Sequence, residues 1–148
     1  MNTDISPIDS FSEKDTYDLG YEMGLKAQPG EVITLIGDLG VGKTVFTQGF
    51  AAGLGIKGPV CSPTFTIVQV YDEGRLMFYH FDVYRIGDES EMEEIGYEEY
   101  VYGDGVSLIE WADLIEDILP DRYTRVEIVK EPARGFDYRK IKITGVSK

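Results

Sequence analysis

Residues 37 to 44 read Gly37-Asp38-Leu39-Gly40-Val41-Gly42-Lys43-Thr44. The spacing Gly-x-x-x-x-Gly-Lys-Thr, with a further glycine inside it, confines the chain to few architectures, because a loop of this type works between a buried strand and a helix. Its glycines let the backbone turn tightly and bring the N–H groups of the segment from Asp38 to Gly42 against phosphate oxygens. The helix that follows offers its positive N-terminal end to the same anion. Lys43 supplies a point charge to the outer phosphates, and the Thr44 hydroxyl stands where it would ligate Mg²⁺.

The flanks supply the context that such a loop requires. Val32-Ile33-Thr34-Leu35-Ile36 is a short apolar run and reads as a buried strand. Beyond the loop, Val45, Phe46, Gly49, Phe50 and Leu54 fall at helical spacing, and Gly55 suits the position just past a helix end. Strand, glycine loop and helix therefore follow one another in the expected order.

The chain has 148 residues, which is expected to form a single domain over 1–148 with a real core. No apolar run approaches the ~20 residues needed to cross a bilayer. The segment Met1-Asn2-Thr3-Asp4 lacks the basic and apolar regions of a signal peptide. Cys61 is the only cysteine, so no intrachain disulfide can form. These features favour a soluble, cytoplasmic protein with no membrane partner.

The net charge of −13 is unevenly spread. Residues 88 to 121 hold 13 Asp/Glu and no Lys or Arg, whereas 122 to 148 hold eight Lys/Arg against three Asp/Glu. The acidic stretch repels a nucleic-acid backbone and reads either as a solvated helix face or as a docking surface for a basic partner.

Along the chain, Ser12 with Asp15 marks a loose capping box for a helix over about 12–27. Thr64 to Tyr71 and Leu76 to Asp82 read as a hairpin across Asp72-Glu73-Gly74. A polar helix starts near Asp88-Glu89-Ser90, with Met92, Ile95 and Tyr100 turned inward. Val106 to Ile109 reads as a strand, Ala112 to Leu119 as a helix stopped by Pro120. Arg125 to Lys130 and Tyr138 to Thr144 read as two late strands. The expected fold class is α/β, a three-layer P-loop domain with a parallel central sheet and antiparallel edge strands.

A phosphate loop needs a further carboxylate to hold Mg²⁺, usually at the end of a neighbouring buried strand. Asp82, after Met77-Phe78-Tyr79-His80-Phe81, and Glu110, after Val106-Ser107-Leu108-Ile109, both have that form. Val83 follows Asp82, so no acidic neighbour is present to act as base, and Glu110 could orient water from another strand. A surface carboxylate at a strand end is the plain alternative for each. Thr64, in Ser62-Pro63-Thr64-Phe65, resembles a γ-phosphate sensor of a switch loop, although spacing alone favours an ordinary strand starter. His80, the only histidine, reads as a packed or surface side chain rather than a base. Trp111, the only tryptophan, either stacks on a nucleobase or packs in the core. Arg85 either reaches a phosphate or forms a salt bridge. The only asparagine is Asn2, so the Asn-Lys-x-Asp loop that reads guanine is absent and ATP is the expected nucleotide.

Together these segments resemble one family. Gly37 to Thr44, Ser62-Pro63-Thr64-Phe65-Thr66, His80-Phe81-Asp82-Val83-Tyr84-Arg85 and Leu108-Ile109-Glu110-Trp111 are similar, in order and spacing, to the TsaE (YjeE) family of small bacterial P-loop ATPases. The resemblance spans about residues 30 to 120. It implies a Mg-dependent ATPase required for N6-threonylcarbamoyladenosine formation in tRNA. The partners implied are TsaD, the transferase, and TsaB, its inactive paralogue, with tRNA reached only through that complex. It further implies that Lys43 and Thr44 hold phosphates and Mg²⁺, Thr64 is the switch threonine, Asp82 is the metal-side carboxylate, Glu110 orients water or supports the metal, and Trp111 lies near the nucleotide. The competing functions are a nucleotide-dependent binding module and a small-molecule kinase. The stretch from 88 to 121 contains no arginine, which counts against a kinase lid there.

Overall fold

The computed structural model of the chain describes residues 2–38, 40–61, 63 and 66–147. Its strands are β1 (Thr3–Ser10), β2 (Val32–Ile36), β3 (Val68–Tyr71), β4 (Phe78–Asp82), β5 (Val106–Glu110), β6 (Arg122–Lys130) and β7 (Arg139–Ser147). The helices are α1 (Glu13–Lys26), α2 (Lys43–Gly53), α3 (Ser90–Glu94) and α4 (Tyr97–Val101), with 3₁₀ segments at Ala112–Ile118 and Pro132–Arg134. The strands form a seven-stranded sheet in the order β1-β7-β6-β2-β5-β4-β3. β6, β2, β5 and β4 run parallel, while β3, β7 and β1 join antiparallel at the edges. The expected α/β class is the one observed.

Apolar side chains bury both faces of the central strands. Ile33 and Leu35 of β2 pack with Phe46, Phe50 and Leu54 of α2 in one core. Val32, Phe81 and Ile109 pack with Met92, Tyr97 and Ile115 in the other. A strand covered on both sides cannot alternate apolar with polar residues, which is why β2 reads as a continuous apolar run.

α1 is held against α2 by glycine. A Cβ placed on Gly20 or Gly24 would collide with the carbonyl oxygens of Phe46 and Phe50, and one on Gly49 or Gly53 with those of Tyr17 and Tyr21. Two small-x-x-x-small seams therefore face each other and bring the backbones together. At the start of α1, the Ser12 hydroxyl accepts from Asp15 N at 3.2 Å, and Asp15 Oδ2 accepts from Phe11 N at 3.0 Å. The capping box is thus present but reaches one residue further out than its usual form. At the other end, the Arg75 guanidinium donates to the Gly24, Leu25 and Ala27 carbonyls at 2.6 to 3.0 Å. It satisfies oxygens that the end of a helix leaves open.

Several elements differ from expectation for identifiable reasons. β1 was not anticipated, because Pro7 and two aspartates interrupt its pattern. It pairs with β7 at the sheet edge with a register shift between Ile5 and Ile8, a place where Pro is tolerated. The acidic helix is two short helices, divided at Gly96 with φ +80°. Ala112–Ile118 is 3₁₀ rather than α, with a kink at Ile115. β6 and β7 are each nine residues long, since their antiparallel ladder runs from Arg122↔Ser147 to Lys130↔Arg139. The hairpin before β4 is observed from Val68 onward; Thr64 and Phe65 lie outside the described residues. No helix among the described residues is long and apolar enough to cross a membrane.

Gly49→Ala tests the helix seam. In an exposed helix this change stabilises by about 1 kcal/mol. Here the methyl group meets a backbone carbonyl that no side-chain movement can clear, and a net loss of roughly 1–3 kcal/mol is expected. The urea unfolding midpoint measures it.

Candidate phosphate-binding site

The loop after β2 is fixed at several points. A Cβ on Gly37 would meet Val41 Cγ1 at 2.7 Å and the Ile128 carbonyl oxygen at 2.9 Å, so only glycine fits there. Val41 turns its side chain into the core, its N–H donates to the Asp38 carbonyl at 3.2 Å, and its carbonyl accepts from Arg139 Nε at 2.8 Å. Gly42, with φ +116°, is the N-cap of α2 and provides no side-chain cap. The first N–H groups of this helix are thereby left to an external anion.

Lys43 is 6% exposed. Its Nζ donates to the Gly37 carbonyl at 2.7 Å and lies 3.8 Å from the centre of the Trp111 ring. Burial pushes the Lys43 ammonium below its ordinary pKa, and the negative charges of Glu110, Asp82, Asp38 and Asp113 oppose that shift. The lysine thus sits in a negative field raised by residues from three separate segments.

Sheet register explains how the acids arrive. Asp82 pairs with Glu110 across β4 and β5, and Glu110 pairs with Leu35 across β5 and β2. The carboxyl ends of three parallel strands therefore lie level, directly before Gly37, where ligands of open α/β sheets bind. Asp82 is half-buried, and its Oδ1 accepts from Tyr84 N at 3.1 Å. Burial raises its pKa. The Tyr84 N–H opposes the rise, Glu110 adds to it, and the Lys43 charge works against it. Glu110 is 3% exposed, with Oε2 2.7 Å from His80 Nε2. Trp111, next in sequence, has φ +62° and is the only non-glycine residue with positive φ among those described. A bulky residue is uncommon in that region, and such strain persists where the surroundings impose it. Its ring contacts both the Lys43 amine and Tyr84, whose ring centroid is 4.7 Å away.

The structure brings Lys43, Asp82, Glu110 and Trp111 together and sets Asp38 within reach of the Lys43 charge. Gly40 has φ +77°, and Thr44 is exposed in the first turn of α2. Leu39 and Thr64 lie outside the described residues. Arg85 and Cys61 are exposed. Three contributors escaped the sequence reading: His80, Tyr84 and Arg139. The spacing of His80 to Asp82 carried a usable signal, since residues i and i+2 of a strand share a face. Beside the loop, a cleft of about 260 Å³ opens between Ser12, Thr16, Gly42, Val45, Phe136 and Arg139.

The donor set suits Mg²⁺ held together with phosphate. Among the described residues no group of three His, Cys, Asp or Glu could hold a metal ion alone. Mg²⁺ typically takes one or two carboxylates and completes its shell with substrate phosphates and water. A hydroxyl at Thr44, the carboxylates at the ends of β4 and β5, and a helix N-terminus without a side-chain cap fit that pattern.

A strand–glycine loop–helix unit in a parallel sheet, with acids level at the neighbouring strand ends, defines a protein of the P-loop fold. The family model described as "Threonylcarbamoyl adenosine biosynthesis protein TsaE" matches residues 10–141. The chain is 56% identical over 120 residues to the tRNA threonylcarbamoyladenosine biosynthesis protein TsaE of Bacillus subtilis (strain 168), covering 81% of this chain and 73% of that protein. It is 45% identical over 112 residues to the protein of that name from Treponema pallidum (strain Nichols), covering 76% and 82%. A crystal structure of YdiB from Bacillus subtilis superposes with a TM-score of 0.83 at 39% identity, covering 99% of this chain and 88% of that one. The chain belongs to the TsaE family.

The Asp82 environment sets a pH dependence. Because its folded pKa is raised, the folded chain binds more protons at this site than the unfolded chain between the ordinary and the raised values. Stability from this group is therefore fully present below the ordinary value and is lost as pH rises through the raised one. Asp82→Asn cannot ionise and keeps an oxygen for the Tyr84 N–H. It is expected to be more stable than the parent at neutral pH, with the gap closing in the acid range, as read from urea midpoints across pH.

Proposed function

We propose that the chain is a Mg-dependent ATPase of the cytoplasm that acts in N6-threonylcarbamoyladenosine formation in tRNA and supports turnover of a TsaB–TsaD complex. The observation that carries this reading is the convergence of the buried Lys43 ammonium with Asp82 and Glu110 at the mouth of the glycine loop. The names of the relatives supply the pathway.

Bound with Mg²⁺, ATP would bring a γ-phosphoryl group whose transfer to water needs alignment and charge neutralisation rather than covalent help. Lys43 leaves the Gly37 carbonyl and pairs with phosphate oxygens. The N–H groups opening α2 bind the same oxygens. Thr44 and Asp82 hold the cation, with Thr64 as the switch threonine. Glu110 holds the attacking water or supports the metal shell. Trp111 covers the lysine and keeps bulk water from it, and the cleft beside Gly42 offers room for the nucleoside. Asp82 feels the charges of Glu110 and Lys43. Slow hydrolysis by the chain alone, with the partner complex completing the site, is part of the same proposal.

The test is tRNA modification reconstituted with TsaB, TsaD and a threonylcarbamoyl donor. Lys43→Ala is expected to lose nucleotide binding, read by Trp111 fluorescence, and to abolish multiple turnover; undiminished turnover would sink the assignment. Glu110→Gln separates ATPase from binding module: single-turnover modification without recycling marks hydrolysis as a reset step.

A further inference from the structure

His80 is a poor choice for a core residue. It is 1% exposed and its ring stacks on Phe78, with centroids 6.0 Å apart and planes 6° from parallel. Nδ1 has no hydrogen-bond partner among the described residues, although it is buried. A buried polar atom left in that condition costs stability that Phe at the same place would not. The other nitrogen explains the residue. Nε2 lies 2.7 Å from Glu110 Oε2. An ionised carboxylate offers only lone pairs, so this bond requires the ring proton to be on Nε2. A ring carrying its proton on Nδ1 alone would set two lone pairs against each other and bury an N–H without an acceptor.

We propose that His80 is a positioning residue that fixes the plane of the Glu110 carboxylate through Nε2–H, so that Glu110 meets the water or metal at the loop in one orientation. The last torsion of a glutamate is broad and roughly two-fold. A group that must place water or a metal works only within about 10–20° of its productive geometry. Strand pairing alone cannot provide this. The ladder sets His80 opposite Leu108 and Asp82 opposite Glu110, which fixes the backbone of Glu110 and not the plane of its carboxylate. The directed bond from a buried ring packed against Phe78 acts on that plane. The inference rests on the ATPase reading above.

The chain has one histidine, so its ring ¹⁵N resonances are unambiguous. In the nucleotide-free protein at neutral pH they are expected to show the proton on Nε2, and to change in Glu110→Ala. His80→Phe keeps the stacked ring and removes the donor. Because the buried Glu110 carboxylate loses a donor, the variant is expected to stay folded with a thermal unfolding temperature lower by a few degrees. Its kcat should fall about 10- to 100-fold, while affinity for a non-hydrolysable ATP analogue, read by Trp111 fluorescence, moves by less than about threefold. His80→Gln, which regains an N–H donor, should recover a measurable part of kcat. A ring protonated on Nδ1 alone, or wild-type kcat in a folded His80→Phe variant, would overturn the inference. A wild-type protein that fails to hydrolyse ATP even with TsaB and TsaD overturns the ATPase reading and the inference with it; an active wild type separates the two failures.

Discussion

The burial of one ammonium group organises this molecule. A charge taken out of water is expensive unless it is paired and hydrogen-bonded. Lys43 meets both conditions through the Gly37 carbonyl and the field of Glu110, Asp82, Asp38 and Asp113. Two of the surrounding groups carry a cost of their own. Asp82 is pushed toward protonation by the same burial, and Trp111 holds an uncommon backbone conformation while its ring covers the amine. The site is a set of individually unfavourable arrangements, each offset by the others. A bound polyphosphate, as proposed, would take over the role that the Gly37 carbonyl fills.

Such a set survives only on a rigid support. The parallel register of β2, β5 and β4 delivers Glu110 and Asp82 to one level. The glycine seam between α1 and α2 locks the helix that begins at Lys43, and Arg139 ties the loop to the C-terminal hairpin through the Val41 carbonyl. Elements remote in sequence therefore converge on one loop. This also gives the C-terminal strands, which carry little signature, a physical reason to be there.

Much of this was legible in advance. The loop, the strand before it and the helix after it were readable because each has a local cause: glycine conformation, an apolar run and helical spacing. Asp82 and Glu110 were readable as acids that end apolar strands. His80 reads from sequence as a packed or surface side chain, and the structure packs it; its bond to Glu110 is hidden because the two residues lie on different strands. β1 was missed because Pro7 and its aspartates break the alternation, and its pairing with β7 is a long-range choice. Gly20, Gly24, Gly49 and Gly53 looked like weaknesses in helices until each was seen to face the other helix's backbone.

The sequence by itself determined the phosphate loop, the α/β class, the acids available to it and the family. Those follow from residue type and near-neighbour spacing. The tertiary structure alone decided that Asp82 and Glu110 stand level, that Trp111 covers Lys43, that Arg139 steadies the loop and that His80 bonds Glu110. Strand order and register are global properties: a shift of one residue in the β4–β5 pairing would turn the carboxylates to opposite faces, and nothing local to either strand reveals which register is taken.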